Sequence, residues 1–355
     1  MKINQKICIN NREIGHENPP YIIAELSANH NGRLETAKKI IQEAKKAGAD
    51  AVKLQTYRPD TITLNCTSDD FKIKGGLWDG RTLFELYREA HMPWEWHAPL
   101  FEYASRLGIT IFSSPFDTTA VDMLEDLNVP AYKIASFEAV DLPLIKYTAS
   151  TGKPLIISTG MANVEEIGEA IQAARDGGCN RLAVLHCVSG YPASAEDYNL
   201  RTITDMQERF KVVIGLSDHT LDNTTAIASV VLGANIIEKH FTLDREGGGP
   251  DDSFSLEPAG LQALCKDSKT AWKAFGQVDY GRKSSERGNV QFRRSLYFVK
   301  ALEAGDVITE DAVRSVRPGF GLPPKYLDKV IGQRVLSRVE KCMPVKADLV
   351  NIDLD

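Results

Sequence analysis

Tyr21-Ile-Ile-Ala-Glu-Leu26, Leu34–Ala47 and Ala51-Val-Lys-Leu-Gln-Thr56 are the stretches that decide the fold. The first and last are short, nearly continuous apolar runs. The middle one places Leu34, Ala37, Ile40, Ile41 and Ala44 on one stripe, which is helical spacing. Gly48 follows it, the residue best suited to a left-handed helix cap. Strand, helix, strand in this order calls for parallel pairing through a right-handed crossover.

The same unit repeats along the chain. Further apolar runs stand at 110–114, 131–136, 154–159, 182–187, 212–217 and 236–241. Together with 21–26 and 51–56 they make eight, with amphipathic stretches between them and Gly108, Gly152 and Gly233 as helix stops. Eight βα units within about 250 residues predict a (β/α)₈ TIM barrel in the α/β class. An open doubly wound sheet competes, but it does not account for the number eight.

Two segments depart from the pattern. Residues 57–91 form a polar, aromatic and Gly-rich insertion after the second strand, read either as a surface excursion or as a loop covering a substrate. After Gly276 the chain turns polar, then resumes with Arg293-Arg-Ser-Leu-Tyr-Phe-Val299, a strand, and a short helix expected near residues 309–313. The expected organisation is a barrel domain over 1–280, a linker over 281–291 and a small domain over 292–355.

Composition narrows the partners. The 355-residue chain has a net charge of −6, 43% hydrophobic residues and 25% charged residues. A negative chain is not built for nucleic acid or an anionic membrane. No apolar run reaches spanning length, and the first thirteen residues lack a signal-peptide core. The expectation is a cytoplasmic protein. The six scattered cysteines fit reduced thiols and offer no zinc spacing.

In a TIM barrel the working residues sit at C-terminal strand ends. Those ends carry Glu25, Ser27, Asn29 and His30; Lys53 and Gln55; Ser113 and Ser114; Lys133, Ser136 and Glu138; Ser158 and Thr159; His186, Ser189 and Tyr191; Ser217, Asp218 and His219; and Glu238 and His240. Lys53 and Lys133 are unusual, because lysine is rarely buried without a partner. They suit an anion clamp, rim salt bridges or a Schiff base. His219 and His240 end neighbouring strands and could share a divalent metal, with Glu25 close by across the barrel closure. Asp244-Arg-Glu-Gly-Gly-Gly-Pro-Asp251 is either a plain turn or a loop whose Asp251 receives a sugar hydroxyl.

Several of these motifs, in this order, resemble those of the sialic acid synthase family. They are 24–31 (AELSANHN), 53–55 (KLQ), 133–138 (KIASFE), 158–161 (STGM), 216–219 (LSDH) and 238–240 (EKH). The tail from Arg293 through Arg317-Pro-Gly-Phe-Gly321 resembles that family's C-terminal antifreeze-like SAF domain.

The resemblance implies an enzyme that condenses phosphoenolpyruvate with an open-chain N-acyl sugar, using water and releasing phosphate. It implies that Lys53, Ser114, Lys133, Ser136, Ser189 and Ser217 hold phosphoenolpyruvate. Ser189 stands where sialic acid synthases carry Asn. His219 and His240 would hold Mn²⁺ or Mg²⁺, and Glu25 would serve the attacking water. Gln55, Glu138, Tyr191, Asp251 and Arg317 would face the sugar, with Arg317 reaching the partner's site in a domain-swapped homodimer. Within the family, 75–82 (GGLWDGRT), 93–97 (PWEWH) and the apolar Phe137 resemble the pseudaminic acid synthase branch, whose acceptor is an N-acyl deoxy sugar. The legionaminic and N-acetylneuraminic branches are the nearest alternatives. Trp78, Trp94 and Trp96 are read either as part of that branch signature or as packing for their loop. A Schiff-base aldolase on the same fold and a non-catalytic sugar-binding protein are the readings from other classes.

Overall fold

The structure is a computed structural model describing residues 5–353. It divides into two compact units at Gly276/Gln277.

The first unit begins with a hairpin, β1 (Ile7–Ile9) and β2 (Arg12–Ile14), turned by Asn10 and Asn11 at φ 46° and 64°. Two consecutive positive-φ residues are what a tight hairpin turn requires, and Asn tolerates them. Strands of three residues fall below what hydrophobic periodicity can detect, so the sequence reading does not contain this hairpin.

Eight parallel strands follow: β3 (Tyr21–Glu25), β4 (Ala51–Thr56), β5 (Thr110–Pro115), β6 (Tyr132–Ile134), β7 (Leu155–Ser158), β8 (Leu182–Cys187), β9 (Val213–Asp218) and β10 (Ile236–His240). They close into a barrel in sequence order, with β10 pairing β3. Each expected apolar run is one of these strands. Alternation then divides every strand between two cores. Outward side chains such as Ile22, Val52, Ile134, Val184 and Ile237 meet the helices. Inward ones such as Tyr21, Ala51, Phe112, Ile156 and Ile236 fill the barrel floor, where Ile7, Ile9 and Ile14 of the hairpin join them. The hairpin therefore plugs the N-terminal mouth and leaves the C-terminal mouth open to chemistry.

The insertion after β4 is not irregular throughout. It contains a helix, Leu83–Ala90, started by a capping box in which Thr82 Oγ1 accepts from the Glu85 amide and Glu85 accepts from the Thr82 amide.

The second unit is built on the antiparallel pair β11 (Ser295–Phe298) and β12 (Val313–Val316). Its own core gathers Leu296, Phe298, Ile308, Val330, Val339 and Val345. The expected linker has local structure, and one expectation is corrected here. The stretch read as a linker carries 3₁₀ turns over Ser284–Phe292, begun where Glu286 accepts from the Lys283 amide at 2.8 Å. No helix forms at 309–313. The Ala312 amide closes a single turn on the Thr309 carbonyl at 2.9 Å, and the β-branched Val313 enters β12.

Candidate active site

Above the barrel floor the inward side chains change from apolar to polar. The layer comprises Glu25, Lys53, Gln55, Ser114, Lys133, Ser158, Cys187, Ser217, Glu238 and His240, nearly all buried. Lys53 Nζ lies 2.9 Å from Glu25 Oε2, 3.6 Å from Glu238 Oε1 and 3.2 Å from Ser114 Oγ. Lys133 Nζ lies 3.7 Å from the same Glu238 oxygen and donates to the Ile134 carbonyl. Two lysines and two carboxylates thus share one buried interior.

The two carboxylates respond in opposite directions. Burial pushes Glu25 up to about 7, only partly opposed by Lys53. Glu238 is held below its usual value although burial opposes this, because Lys133 and Lys53 both face it. Burial lowers the pKa of Lys133. Glu238 stood among the strand-end residues of the sequence but had no role there. Its position between two lysines depends on barrel closure, which is not visible from local pattern.

Several buried polar atoms in this layer have no hydrogen-bond partner: Ser158 Oγ, Glu238 Oε2 and His240 Nδ1, and nearby Glu138 Oε2. Such atoms are costly to bury and mark where a polar ligand belongs.

Ser136 Oγ and Ser189 Oγ lie 2.8 Å apart at the rim. Gly160 makes this approach possible. A Cβ there would lie 2.5 Å from Ser136 Cβ, and its φ is +51°.

His219 and His240 face one another with ring centroids 5.4 Å apart. His219 Nδ1 is 2.7 Å from the Val188 carbonyl, an arrangement in which Nδ1 carries the proton and Nε2 can serve a metal; the ring also bonds the Cys187 side chain. His240 Nδ1 makes no hydrogen bond, and its nearest carboxylate, Asp251 Oδ2, is 3.8 Å away. Burial and the neighbouring His219 hold His240 well below the usual histidine value, so it stays a neutral donor. Among the described residues no three His, Cys, Asp or Glu side chains gather as a metal cluster. The two imidazoles are the side chains here that could hold a cation between them. Cys187 also points into this layer beside His219, a position the sequence reading treated only as an isolated thiol.

The residues expected to face a sugar gather above. Asp251 accepts from Ser27 Oγ, which also accepts from Gln55 Nε2 at 2.9 Å; Gln55 donates to Glu25 Oε1 at the same distance. Tyr191 packs 4.4 Å from His219 and 5.3 Å from Phe254. Burial raises the Glu138 carboxyl to about 7. Phe137 is 58% exposed at the rim.

The insertion reaches this site through one tryptophan. Trp78 lies 6.2 Å from Tyr191, and its Nε1 donates to the Pro250 carbonyl at 3.2 Å. Trp94 instead stacks under Arg58, and Trp96 meets His30 edge-on. These two are packing residues.

Some strand-end residues turn away. His186 faces outward, against the Tyr198 carbonyl, and Ser113 bonds Thr56 in the helical layer. Alternation assigns both to the outer face. Arg317 lies exposed in the second unit, just after β12.

Residues 40–280 match the NeuB family, and residues 293–351 match the SAF domain. The chain belongs to the NeuB family. Among NeuB-related proteins, the pseudaminic acid synthase of Helicobacter pylori (strain ATCC 700392 / 26695) is 43% identical over 332 residues, covering 93% of this chain and 97% of that protein. The N,N'-diacetyllegionaminic acid synthase of Campylobacter jejuni subsp. jejuni serotype O:2 is 35% identical, with 88% and 94% covered. The crystal structure of an N-acetylneuraminic acid synthetase from Leptospira borgpetersenii serovar Hardjo-bovis superimposes with a TM-score of 0.73 at 31% identity, covering 82% of this chain and 96% of that one. No described helix is long and apolar enough to cross a membrane.

Proposed function

We propose that this NeuB-family enzyme makes pseudaminic acid. It would condense phosphoenolpyruvate with 2,4-diacetamido-2,4,6-trideoxy-L-altrose and water and release phosphate by C–O cleavage. One observation carries the reaction class: two buried lysines and two neighbouring imidazoles share a single polar layer. The acceptor follows the relatives, since identity to the pseudaminic enzyme is 43% against 35% to the legionaminic one.

In this reading Lys53 and Lys133 offset the donor's negative charge. Ser114, Ser136, Ser189 and Ser217 orient its phosphate and carboxylate, and Ser158 Oγ gains the partner it lacks. His219 and His240 hold a divalent cation, Mn²⁺ or Mg²⁺, which supplies polarisation of the sugar aldehyde. Carbon 3 of the enol then forms the new bond to the aldehyde carbon, leaving positive charge at carbon 2. Glu25, aimed by Gln55, holds the water that adds there and accepts its proton. The resulting adduct expels inorganic phosphate. Tyr191, Asp251 and Glu138 bind the sugar. We place the working form in the cytoplasm as a homodimer, with the partner's Arg317 completing the sugar site.

The test is phosphate release from phosphoenolpyruvate with Mn²⁺, offering the altrose sugar, its legionaminic counterpart and N-acetylmannosamine separately. Release with the altrose sugar alone, abolished by EDTA, is expected. Release with another sugar would overturn the acceptor, and release with none would overturn the reaction.

A further inference from the structure

A third buried lysine lies behind the site. Lys239 is 2% exposed and stands between Glu238 and His240 on β10. Alternation turns those two into the barrel and Lys239 outward to the helical layer. Its ladder partner is Asp218 of β9, 0% exposed and itself set between the inward-facing Ser217 and His219. The outward pair meets directly, Lys239 Nζ lying 2.6 Å from Asp218 Oδ2. Lys239 Nζ also donates to the Thr220 carbonyl at 2.6 Å. The Thr220 amide and hydroxyl both donate to Asp218 Oδ1, at 3.0 and 2.9 Å.

We propose that Asp218, Lys239 and Thr220 form a positioning network that holds His219 and His240 at the spacing a shared cation needs. This rests on the cation reading given above. The argument starts from what else occupies the outer face. At most other positions it is apolar, as at Ile214, Leu216 and Ile237. A buried ion pair there costs desolvation that a Leu or Met pair would avoid, so stability alone does not explain it. Direction does. Apolar contacts tolerate sliding, whereas four hydrogen bonds from Lys239 and Thr220 converge on the short turn that carries His219.

The network also crosses between strands. It ties β10, one residue before His240, to the β9 end, on either side of His219. Tyr198 adds a hold from the same layer: its hydroxyl accepts from the His219 amide at 2.7 Å and donates to the Ser217 carbonyl at 3.2 Å. With Val188 fixing the ring, His219 is constrained in backbone and side chain alike.

The test measures the Mn²⁺ dissociation constant of chelator-stripped, full-length protein from the EPR signal of free Mn²⁺. His219→Ala first establishes whether the imidazoles hold the ion. The double variant Asp218→Leu/Lys239→Met removes the ion pair without leaving an unpaired charge. It is expected to fold, as followed by its circular dichroism melt. Its Mn²⁺ affinity is expected to fall ~10–100-fold, the usual effect of losing support behind a metal ligand. Its KM for phosphoenolpyruvate should stay within about twofold, because the anion residues are untouched. Thr220→Val, which removes the hydroxyl's bonds to Asp218 and Lys239 but no charge, should weaken Mn²⁺ in the same direction by less. A folded double variant with wild-type Mn²⁺ affinity overturns the proposal. If the double variant does not fold, unchanged affinity in Thr220→Val overturns it. Wild-type protein that ignores Mn²⁺, or a His219→Ala variant that binds it equally well, defeats the cation reading and this proposal together.

Discussion

Trp78 Nε1 donates to the Pro250 carbonyl at 3.2 Å, joining the loop after the second barrel strand to the loop after the eighth. The indole thereby stands beside Tyr191, which in turn packs against both histidines. Its removal should loosen sugar binding and leave the donor site below intact. Trp78→Ala is expected to raise KM for the sugar ~10-fold, with KM for phosphoenolpyruvate nearly unchanged. Equal changes in both constants, from steady-state kinetics, would assign Trp78 to general folding of the loop.

Ser158 Oγ is buried without a partner. A hydroxyl waiting for ligand should cost the empty protein stability rather than provide it. Ser158→Ala should therefore melt at or slightly above the wild-type temperature. It should bind phosphoenolpyruvate more weakly by about 1 kcal/mol, the worth of one hydrogen bond. A lower melting temperature with unchanged donor affinity would make Ser158 a core residue instead.

The barrel was legible because eight apolar runs each encode a strand, and a two-residue period then dictates which side chains face inward. Lys53, Lys133, His219 and His240 could be read as site residues for that reason. Three kinds of fact were not local. The plug formed by Ile7, Ile9 and Ile14 is too short to show a period. Glu238 acquires meaning only when closure sets it between two lysines. Lys239 looked like part of a motif, yet it faces the opposite way from its neighbours and pairs with Asp218. His186 shows the converse, a polar strand-end residue that faces the helical layer.

The Glu138 carboxyl is raised from 4.5 to about 7, chiefly by burial. The sign follows from linkage. Between these values the folded protein keeps a proton that the unfolded chain has released, so stability falls as pH rises from about 4.5 to 7. Above that range the loss is complete and constant. Glu138→Gln stays neutral throughout and should lack this component. Melting curves across the interval should show wild type losing ground to the variant as pH increases. Parallel curves would mean that Glu138 is solvated in the folded protein.

The floor plug separates stability from chemistry. Ile9 is fully buried against the inner barrel core, at the mouth opposite the polar layer. Truncation to Ala removes three carbons from a closed space that the short hairpin cannot collapse to fill. The expected cost is ~2–5 kcal/mol. In a unit of this size each kcal/mol corresponds to roughly 2–4 °C, so a clear fall in melting temperature should follow. The site should not register the change, because the inward layer between plug and lysines is rigid, close-packed side chain. Both KM values and kcat at a temperature well below melting should match wild type. If Ile9→Ala instead alters KM for phosphoenolpyruvate while melting normally, the barrel floor is coupled to the lysine layer, and the plug belongs to the working part of the enzyme.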